Sequence, residues 1–157
     1  MKKSLLNKSK IDSVIALFSS GQLEDALSQA LKLTKTCPNH SLVHNITGAC
    51  YAGLGQLASA IKSYEKAIEL DPNYFKAYYN LGASYQELVQ YDKSIESYQK
   101  SISIDPEYAE AHNNLGSVFM ELGQYEKAID CYEKAIQIKP DYFEAHYGVG
   151  IVFFDLG

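Results

Sequence analysis

The sequence predicts an all-α fold built from a row of antiparallel helix pairs. The first observation is a period, because the four prolines, Pro38, Pro72, Pro106 and Pro140, follow one another at intervals of 34 residues. A fixed period of this length is typical of stacked supersecondary units. The second observation is that apolar residues recur at helical spacing in two stretches of each period, with a short break between them.

We number each repeat so that its proline is position 32. The repeats then cover residues 7–40, 41–74, 75–108 and 109–142, and a half repeat covers 143–157. In the fourth repeat, Gly123 and Gln124 separate the two apolar stretches, which suits a helix C-terminus and a turn. The proline ends the second helix. The residue after it is expected to favour the start of the next helix by capping or through the helix dipole. These residues are Asn39, Asn73, Glu107 and Asp141.

Small and aromatic residues alternate at fixed positions of the repeat and predict how the helices pack. Position 8 is glycine, as Gly48, Gly82, Gly116 and Gly150. Position 24 is tyrosine, as Tyr64, Tyr98 and Tyr132. We expect the small residues to allow close helix approach and the aromatic rings to fill the space beside them.

With these fixed positions, the 34-residue repeat resembles that of the tetratricopeptide repeat (TPR) family. The resemblance covers about residues 7–157 and is strongest in LGSVFMELGQYEKAIDCYEKAIQIKP. The resemblance implies a single TPR domain over 1–157, an α-solenoid whose helix pairs wind into a right-handed superhelix with the first helices lining a concave face. The sequence departs from the family at position 4, where other residues replace its tryptophan. These residues are His44, Tyr78, His112 and His146.

Composition excludes several classes of function. The net charge is −5, from 14 basic and 19 acidic residues, so the chain is not expected to bind nucleic acid. No apolar run approaches the roughly 20 residues that span a bilayer, so no membrane association is expected. Three widely spaced cysteines do not suggest a disulfide framework, and the predicted location is cytoplasmic.

No motif for catalysis or for a cofactor is present, and we expect neither enzymatic activity, nor a cofactor, nor a bound metal. His44, His112 and His146 share position 4, but they lie on separate repeats, too far apart to hold one ion. They are expected to fill the packing position of the family's tryptophan. Cys50 and Cys131 are expected to act as small buried apolar residues.

The resemblance places the binding surface on the concave face. Asn80 and Asn114 share position 6, and the pattern is similar to the asparagine ladder in the repeats of O-GlcNAc transferases. A side-chain amide offers a donor and an acceptor, so it can hold an extended peptide backbone. The competing interpretation is an exposed polar residue without a ligand. The candidate peptide-binding residues are Asn80, Asn114, Asn113, Asn45, Tyr79, Lys76, Gln86, Ser117 and Tyr147. Asn80 and Asn114 are expected to be exposed.

The charge of the concave groove predicts the charge of the peptide that it binds. The resemblance implies that chaperone-binding members of the family hold a terminal carboxylate with Lys, Arg and Asn at positions 5, 6 and 9, and here positions 5 and 9 carry no Lys or Arg. The C-terminal half of the groove is acidic instead, through Glu87, Glu110, Glu121, Glu144 and Asp155. We therefore expect a neutral or basic protein or peptide ligand. The competing interpretation is that these carboxylates form a charged edge that is only solvated and binds no ligand.

The last residue, Gly157, falls at position 15, before any second helix of the fifth repeat. Four apolar residues of the half repeat are expected to form one uncovered stripe: Val149, Val152, Phe153 and Leu156. That stripe predicts a homodimer through the C-terminal helix. It also suggests a longer protein, so two functions stay open. The first is a protein-interaction scaffold, and the second is the substrate-presenting N-terminal region of a glycosyl- or sulfotransferase.

Overall fold

A computed structural model describes residues 2–156, with the side chains of residues 8–154. Within these residues the chain forms nine α-helices and no strand. The helices are α1 (Lys2–Ser19), α2 (Leu23–Thr36), α3 (Ser41–Gly53), α4 (Leu57–Leu70), α5 (Phe75–Glu87), α6 (Tyr91–Ile104), α7 (Ala109–Glu121), α8 (Tyr125–Ile138) and α9 (Phe143–Leu156). Among the described residues, none of these helices has the length and apolar content needed to cross a membrane.

The helices follow the predicted repeat. Helices α1, α3, α5, α7 and α9 are the first helices of successive repeats, and α2, α4, α6 and α8 are the second helices. Each second helix ends two residues before its proline, at Thr36, Leu70, Ile104 and Ile138. The proline ring and the residue before it cannot continue a helix, so the period of the prolines sets the period of the helix ends.

The turn inside each repeat needs a left-handed residue at position 15. Glycine supplies it at Gly21, Gly55 and Gly123, where φ is 78°, 70° and 67°. The third repeat has Val89 there, with φ of 58°. A β-branched residue seldom adopts this conformation, so this turn is strained.

The predicted residues Asn39 and Glu107 do not occupy the N-cap positions of α3 and α7. Helices α3 and α7 begin after His40 and Tyr108, and neither residue makes a side-chain cap hydrogen bond. The carboxylate of Asp71 instead accepts the backbone N–H of Asn73 at 3.1 Å, and that of Asp105 accepts the N–H of Glu107 at 3.2 Å. An aspartate just before the proline therefore orders this turn, because its short side chain reaches the N–H two residues on.

The described helices group into two compact units, residues 1–84 and residues 85–157, here called the N-terminal and the C-terminal unit. In the N-terminal unit, α1 packs on α2 and α3, α2 packs on α3, and α3 packs on α4. The core of its first three helices consists of Ile11, Val14, Ala26, Ala30, Leu33, Val43 and Cys50. The extent of a single domain over 1–157 stays a prediction.

In the C-terminal unit, α7 packs against α6, α8 and α9, and α8 packs on α9. A Cβ atom on Gly116 would lie 2.9 Å from Cδ1 of Tyr132 and 3.2 Å from the carbonyl oxygen of Ala128. In the N-terminal unit, a Cβ atom on Gly48 would lie 2.5 Å from Cε1 of Tyr64. The predicted packing of tyrosine against the position 8 glycine is confirmed in both units.

Candidate peptide-binding site

Polar side chains of the C-terminal unit form one continuous set of hydrogen bonds. The Tyr98 hydroxyl donates to Oε1 of Gln86 at 2.9 Å and accepts from Nδ2 of Asn114 at 3.3 Å. Asn113 donates from Nδ2 to Oδ1 of Asn114 at 3.2 Å. Gln86 donates from Nε2 to Oγ of Ser117 at 3.4 Å, which is a weak bond. We call these five residues the amide network.

Three helices position the amide network. Asn113, Asn114 and Ser117 lie on α7, Gln86 lies near the end of α5, and Tyr98 lies in the middle of α6. Tyr98 is fully buried, whereas the other four side chains are half-buried and reach the surface. The buried hydroxyl therefore holds the amides of Gln86 and Asn114 in place, while the half-buried side chains keep part of their surface accessible to solvent.

Four members of the amide network were predicted from the sequence as peptide-binding residues, whereas Tyr98 was not. The position 24 tyrosines were assigned to the core, and Tyr98 is indeed in the core. The signal that could have found it is chemical: a buried tyrosine hydroxyl needs a hydrogen-bond partner. The position 6 amide of the next repeat, Asn114, supplies that partner.

Asn113 carries an unsatisfied acceptor. Its Oδ1 is buried and has no hydrogen-bond partner, the one such side-chain atom found among the described residues. A buried polar atom without a partner lowers stability by roughly 1–3 kcal/mol. The amide can recover this free energy if it turns toward a donor that a ligand brings.

The N-terminal unit contains a separate pair of predicted residues. Nδ2 of Asn80 donates to Oδ1 of Asn45 at 3.0 Å. Asn45 is only 8% exposed, and Asn80 is half-buried. Burial raises the pKa of the nearby Tyr74 hydroxyl, although its interaction with the Asn45 side chain partly offsets this rise. The expectation that Asn80 and Asn114 are exposed is wrong, since both are half-buried and each amide donates to another side chain, to Asn45 and to Tyr98 respectively.

The remaining candidates are aromatic or basic. Lys76 is exposed, and its ammonium group lies 5.7 Å from the centre of the Phe75 ring. Tyr79 is half-buried on α5. Tyr147 is 62% exposed on α9 and stacks on Phe143, with ring centres 6.1 Å apart.

Charge is divided unequally along the chain. The N-terminal unit has nine lysines and six acidic residues, which gives +3, and the C-terminal unit has five lysines and thirteen acidic residues, which gives −8. Three carboxylates predicted for the groove, Glu87, Glu121 and Glu144, are exposed, and Glu110 is half-buried. The side chain of Asp155 lies outside the described residues. The amide network therefore belongs to a strongly acidic unit.

The position 4 histidines have a structural role. Nε2 of His44, His112 and His146 donates to the carbonyl oxygens of Pro38, Pro106 and Pro140 at 2.7, 3.0 and 2.8 Å. Each histidine thus ties a first helix to the turn before it. Within the described part of the chain, no group of His, Cys, Asp or Glu side chains could hold a metal ion.

Two of the cysteines, Cys50 and Cys131, have thiols with a raised pKa. Burial raises the pKa of the Cys50 thiol from 9.0 to about 11, and it raises the pKa of the Cys131 thiol from 9.0 to about 11 as well. Both thiols stay protonated near neutral pH, and a protonated thiol is a poor nucleophile. Cys50 is fully buried as predicted, whereas Cys131 is half-buried.

The uncovered face of α9 differs from the predicted one. Val152 is fully buried and Val149 is half-buried, because this side of α9 packs on α7 and α8. Phe153 is 60% exposed as expected, and the side chain of Leu156 lies outside the described residues. The exposed large side chains of this helix are Phe143, Tyr147, Phe153 and Phe154. The prediction that Val152 belongs to an uncovered stripe is therefore wrong, because this side chain is fully buried.

A model of the TPR repeat matches residues 48–89, 90–123 and 116–157. No curated protein matches the chain. The crystal structure of MamA is 30% identical, with a TM-score of 0.81 over 90% of this chain and 83% of that one. PilF of Pseudomonas aeruginosa is 16% identical, with a TM-score of 0.91 over 99% of this chain and 71% of that one. These likenesses confirm the predicted all-α solenoid fold class.

One further structure contains a ligand. The first TPR of Spaghetti (RPAP3), bound to the HSP90 peptide SRMEEVD, is 23% identical, with a TM-score of 0.72. The match covers 74% of this chain and 92% of that one. At this identity the likeness shows the fold alone.

Proposed function

Because the chain belongs to the TPR repeat family, we propose that it is a non-catalytic scaffold that binds an extended polypeptide segment on the amide network. The observation that carries this proposal is the continuous set of hydrogen bonds through Gln86, Tyr98 and Asn114. It holds several half-buried amides in fixed positions. A binding surface whose polar groups are fixed before the ligand arrives loses less conformational entropy on binding.

The chemistry of the amides fits a peptide backbone. Oδ1 of Asn113 is buried and unsatisfied, so Asn113 offers an acceptor to a peptide N–H once its amide turns outward. A peptide in extended conformation presents an N–H to the same side every second residue, so it can satisfy this oxygen.

The charge of the C-terminal unit supports a neutral or basic ligand. The net charge of −8 repels an acidic segment and attracts a basic one. The first TPR of RPAP3 binds a peptide, which supports peptide recognition by this fold. That peptide carries acidic residues, whereas the charge of −8 on the C-terminal unit favours a neutral or basic ligand here. The exposed carboxylates are screened by salt, so binding of a basic peptide weakens as ionic strength rises.

The alternative function, as the substrate-presenting region of a glycosyl- or sulfotransferase, has no support from the relatives named above. The proposed role needs no chemical step, and the buried Cys50 and the half-buried Cys131 are accounted for by packing. Self-association through α9 is a separate hypothesis. Light scattering at increasing protein concentration tests it, and Phe153→Glu would dissolve such a dimer.

The proposed function is tested with an array of acetylated, amidated nonapeptides whose net charge ranges from acidic to basic. The tightest binder is then titrated against the wild type and Asn113→Ala by calorimetry. We expect Asn113→Ala to weaken binding by roughly 1–3 kcal/mol. Its melting temperature should change little, because the substitution removes an unsatisfied oxygen together with one side-chain hydrogen bond.

Asn39→Ala is the matched control, since Asn39 is an exposed asparagine in the turn between α2 and α3. It should leave both binding and melting unchanged. The proposal is wrong if Asn113→Ala and Asn114→Ala bind the peptide like the wild type, or if acidic peptides bind best.

A further inference from the structure

The N-terminal unit has a surface groove between α2, α3 and α4, with a volume of about 290 Å³. This volume lies near the lower end of the range for small-ligand sites. No carboxylate is among the described side chains that line it. We call it the hydroxyl groove, and its lining includes Thr34, His44, Thr47, Tyr51, Lys62 and Ser63.

The aromatic ring of the hydroxyl groove lacks the lysine that covers its counterparts. In the third and fourth repeats, the ammonium groups of Lys93 and Lys127 at position 19 lie 5.2 Å and 5.3 Å from the centre of the position 11 ring. In the second repeat, position 19 is Ser59, which also lines the groove. A serine side chain is too short to reach over the ring, so Tyr51 offers an aromatic face to a ligand.

Three hydroxyls of the groove have already used their hydrogen. Thr34, Thr47 and Ser63 donate to carbonyl oxygens one turn earlier in their own helices, at 2.9, 2.8 and 2.9 Å. A hydroxyl has one hydrogen, so these oxygens offer only lone pairs to a ligand. Thr34 and Ser63 are half-buried and therefore accessible, whereas Thr47 is only 2% exposed.

His44 adds another acceptor, and Lys62 adds a donor. Nε2 of His44 donates to the carbonyl oxygen of Pro38 at 2.7 Å. In a neutral imidazole that carries its hydrogen on Nε2, Nδ1 is an acceptor. Lys62 is exposed and is the one ammonium group among the described side chains that line the groove. The groove therefore combines an aromatic face, several acceptors and a single cationic donor.

This combination disfavours a charged ligand of either sign. An anion would meet the lone pairs of Thr34 and Ser63 and would have one ammonium partner, Lys62. A cation would be repelled by Lys62 and by the net charge of +3 on the N-terminal unit. The ligand that fits is neutral, has several hydrogen-bond donors and has one apolar face.

We propose that the hydroxyl groove binds a neutral sugar in its pyranose form. The sugar hydroxyls donate to Thr34 and Ser63, and one of them accepts from the Lys62 ammonium group. The C–H face of the sugar lies on the Tyr51 ring, because the face of an aromatic ring is negative and attracts the slightly positive C–H hydrogens. The groove belongs to the N-terminal unit and the amide network to the C-terminal unit, so the inference does not depend on the proposed function.

The test is an NMR titration of the ¹⁵N-labelled full chain with four methyl pyranosides, those of glucose, galactose, mannose and N-acetylglucosamine. We expect saturable shifts for at least one sugar, centred on the backbone amides of the groove residues, with a dissociation constant in the millimolar range. Three further probes distinguish the ligand classes. N-acetylarginine amide is the cation, phenyl phosphate is the anion, and N-acetylglutamine amide is the neutral amide, and all three should bind more weakly than that sugar.

Variants of the chain locate the sugar. Ser59→Lys restores the lysine of the other repeats over the ring and should weaken binding about tenfold or more. Ala58→Lys is the matched control, because it adds the same charge at an exposed neighbour on α4 that does not line the groove. Thr34→Val keeps the shape of the side chain but removes an acceptor, and it should weaken binding about fivefold.

The ring itself is tested at Tyr51. Tyr51→Phe keeps the aromatic face and should bind the sugar within about twofold of the wild type, whereas Tyr51→Leu removes the face and should weaken binding about tenfold. Melting temperatures show whether each variant is folded. If Tyr51→Leu does not fold, the comparison of Ser59→Lys with Ala58→Lys still decides the role of the ring.

The inference is overturned if none of the four sugars binds, or if one of the three other probes binds more tightly than every sugar. It is also overturned if Ser59→Lys binds the sugar as tightly as Ala58→Lys does. Asn114→Ala should bind the sugar like the wild type. A loss of sugar binding in that variant would place the sugar on the amide network instead.

Discussion

Val89 adopts in the turn between α5 and α6 the left-handed conformation that Gly123 adopts in the turn between α7 and α8. The φ angles are 58° for Val89 and 67° for Gly123. Glycine reaches this region without a steric penalty, whereas a β-branched side chain crowds the backbone there. Val89 is 66% exposed, so burial of its side chain offsets little of this strain.

Val89→Gly is expected to stabilise the chain. Relief of left-handed strain contributes about 1–2 kcal/mol, and the added backbone entropy of glycine offsets about half of it. We expect a net gain on the order of 0.5–1 kcal/mol in the free energy of unfolding in urea. Gly123→Val makes the reverse change in the equivalent turn and should destabilise. A loss of stability in Val89→Gly would show that the turn is not strained.

The contact between Gly116 and Tyr132 predicts that a larger residue at position 116 destabilises the fold. Gly116→Leu places a side chain where the buried Tyr132 ring and the Ala128 carbonyl oxygen already lie. Overpacking of this kind costs about 1–3 kcal/mol or more.

Gly150→Leu is the matched control for this prediction. Its side chain enters open space on an exposed helix, and leucine favours helix over glycine, so the melting temperature should hold or rise. Equal melting temperatures for the two leucine variants would show that α7 and α8 do not approach closely at Gly116.

Tyr98→Phe removes the central hydroxyl of the amide network. Oε1 of Gln86 and Nδ2 of Asn114 then lose one partner each. Both amides are half-buried and can turn toward water, so we expect a cost of about 1 kcal/mol in the free energy of unfolding. Peptide binding should weaken as well, because the amides are no longer fixed. Tyr147→Phe removes an exposed hydroxyl and should leave the free energy of unfolding unchanged.

The buried thiols predict alkaline destabilisation. The pKa of Cys50 and that of Cys131 are raised from 9.0 to about 11 in the folded chain, so folding disfavours their thiolates. Their contribution to stability is complete below pH 9 and is lost as the pH rises through 11.

We therefore expect the free energy of unfolding to fall more steeply between these pH values in the wild type than in the double variant Cys50→Ala, Cys131→Ala. Tyr74 and Tyr132 also have raised pKa values and are present in both proteins. Burial is the main cause of the raised pKa of Tyr132, and Cys131 adds to it, so the difference between the two pH profiles reports the thiols together with this coupling. Parallel profiles would contradict their burial in protonated form.

The sequence by itself determined the repeat, the helix ends and the turn positions. These features depend on local chemistry: a proline cannot continue a helix, and a left-handed turn favours glycine. The packing of tyrosine on the position 8 glycine was also predictable, since the small residue and the ring recur at fixed positions in successive repeats. Four of the five residues of the amide network were named as peptide-binding candidates from the resemblance to the TPR family.

Only the tertiary structure decided which of these residues meet. The hydrogen bond from Tyr98 to Gln86 joins residues on two helices, and a periodic pattern does not specify the rotation of one helix against another. The same limit applies to α9, where packing on α7 and α8 buries Val152 and leaves Phe153 in solvent. Both are apolar, and hydropathy alone does not distinguish them. The burial of Asn45 beside Asn80 also required the structure, because an amide is stable in the interior only when a partner lies within hydrogen-bond distance.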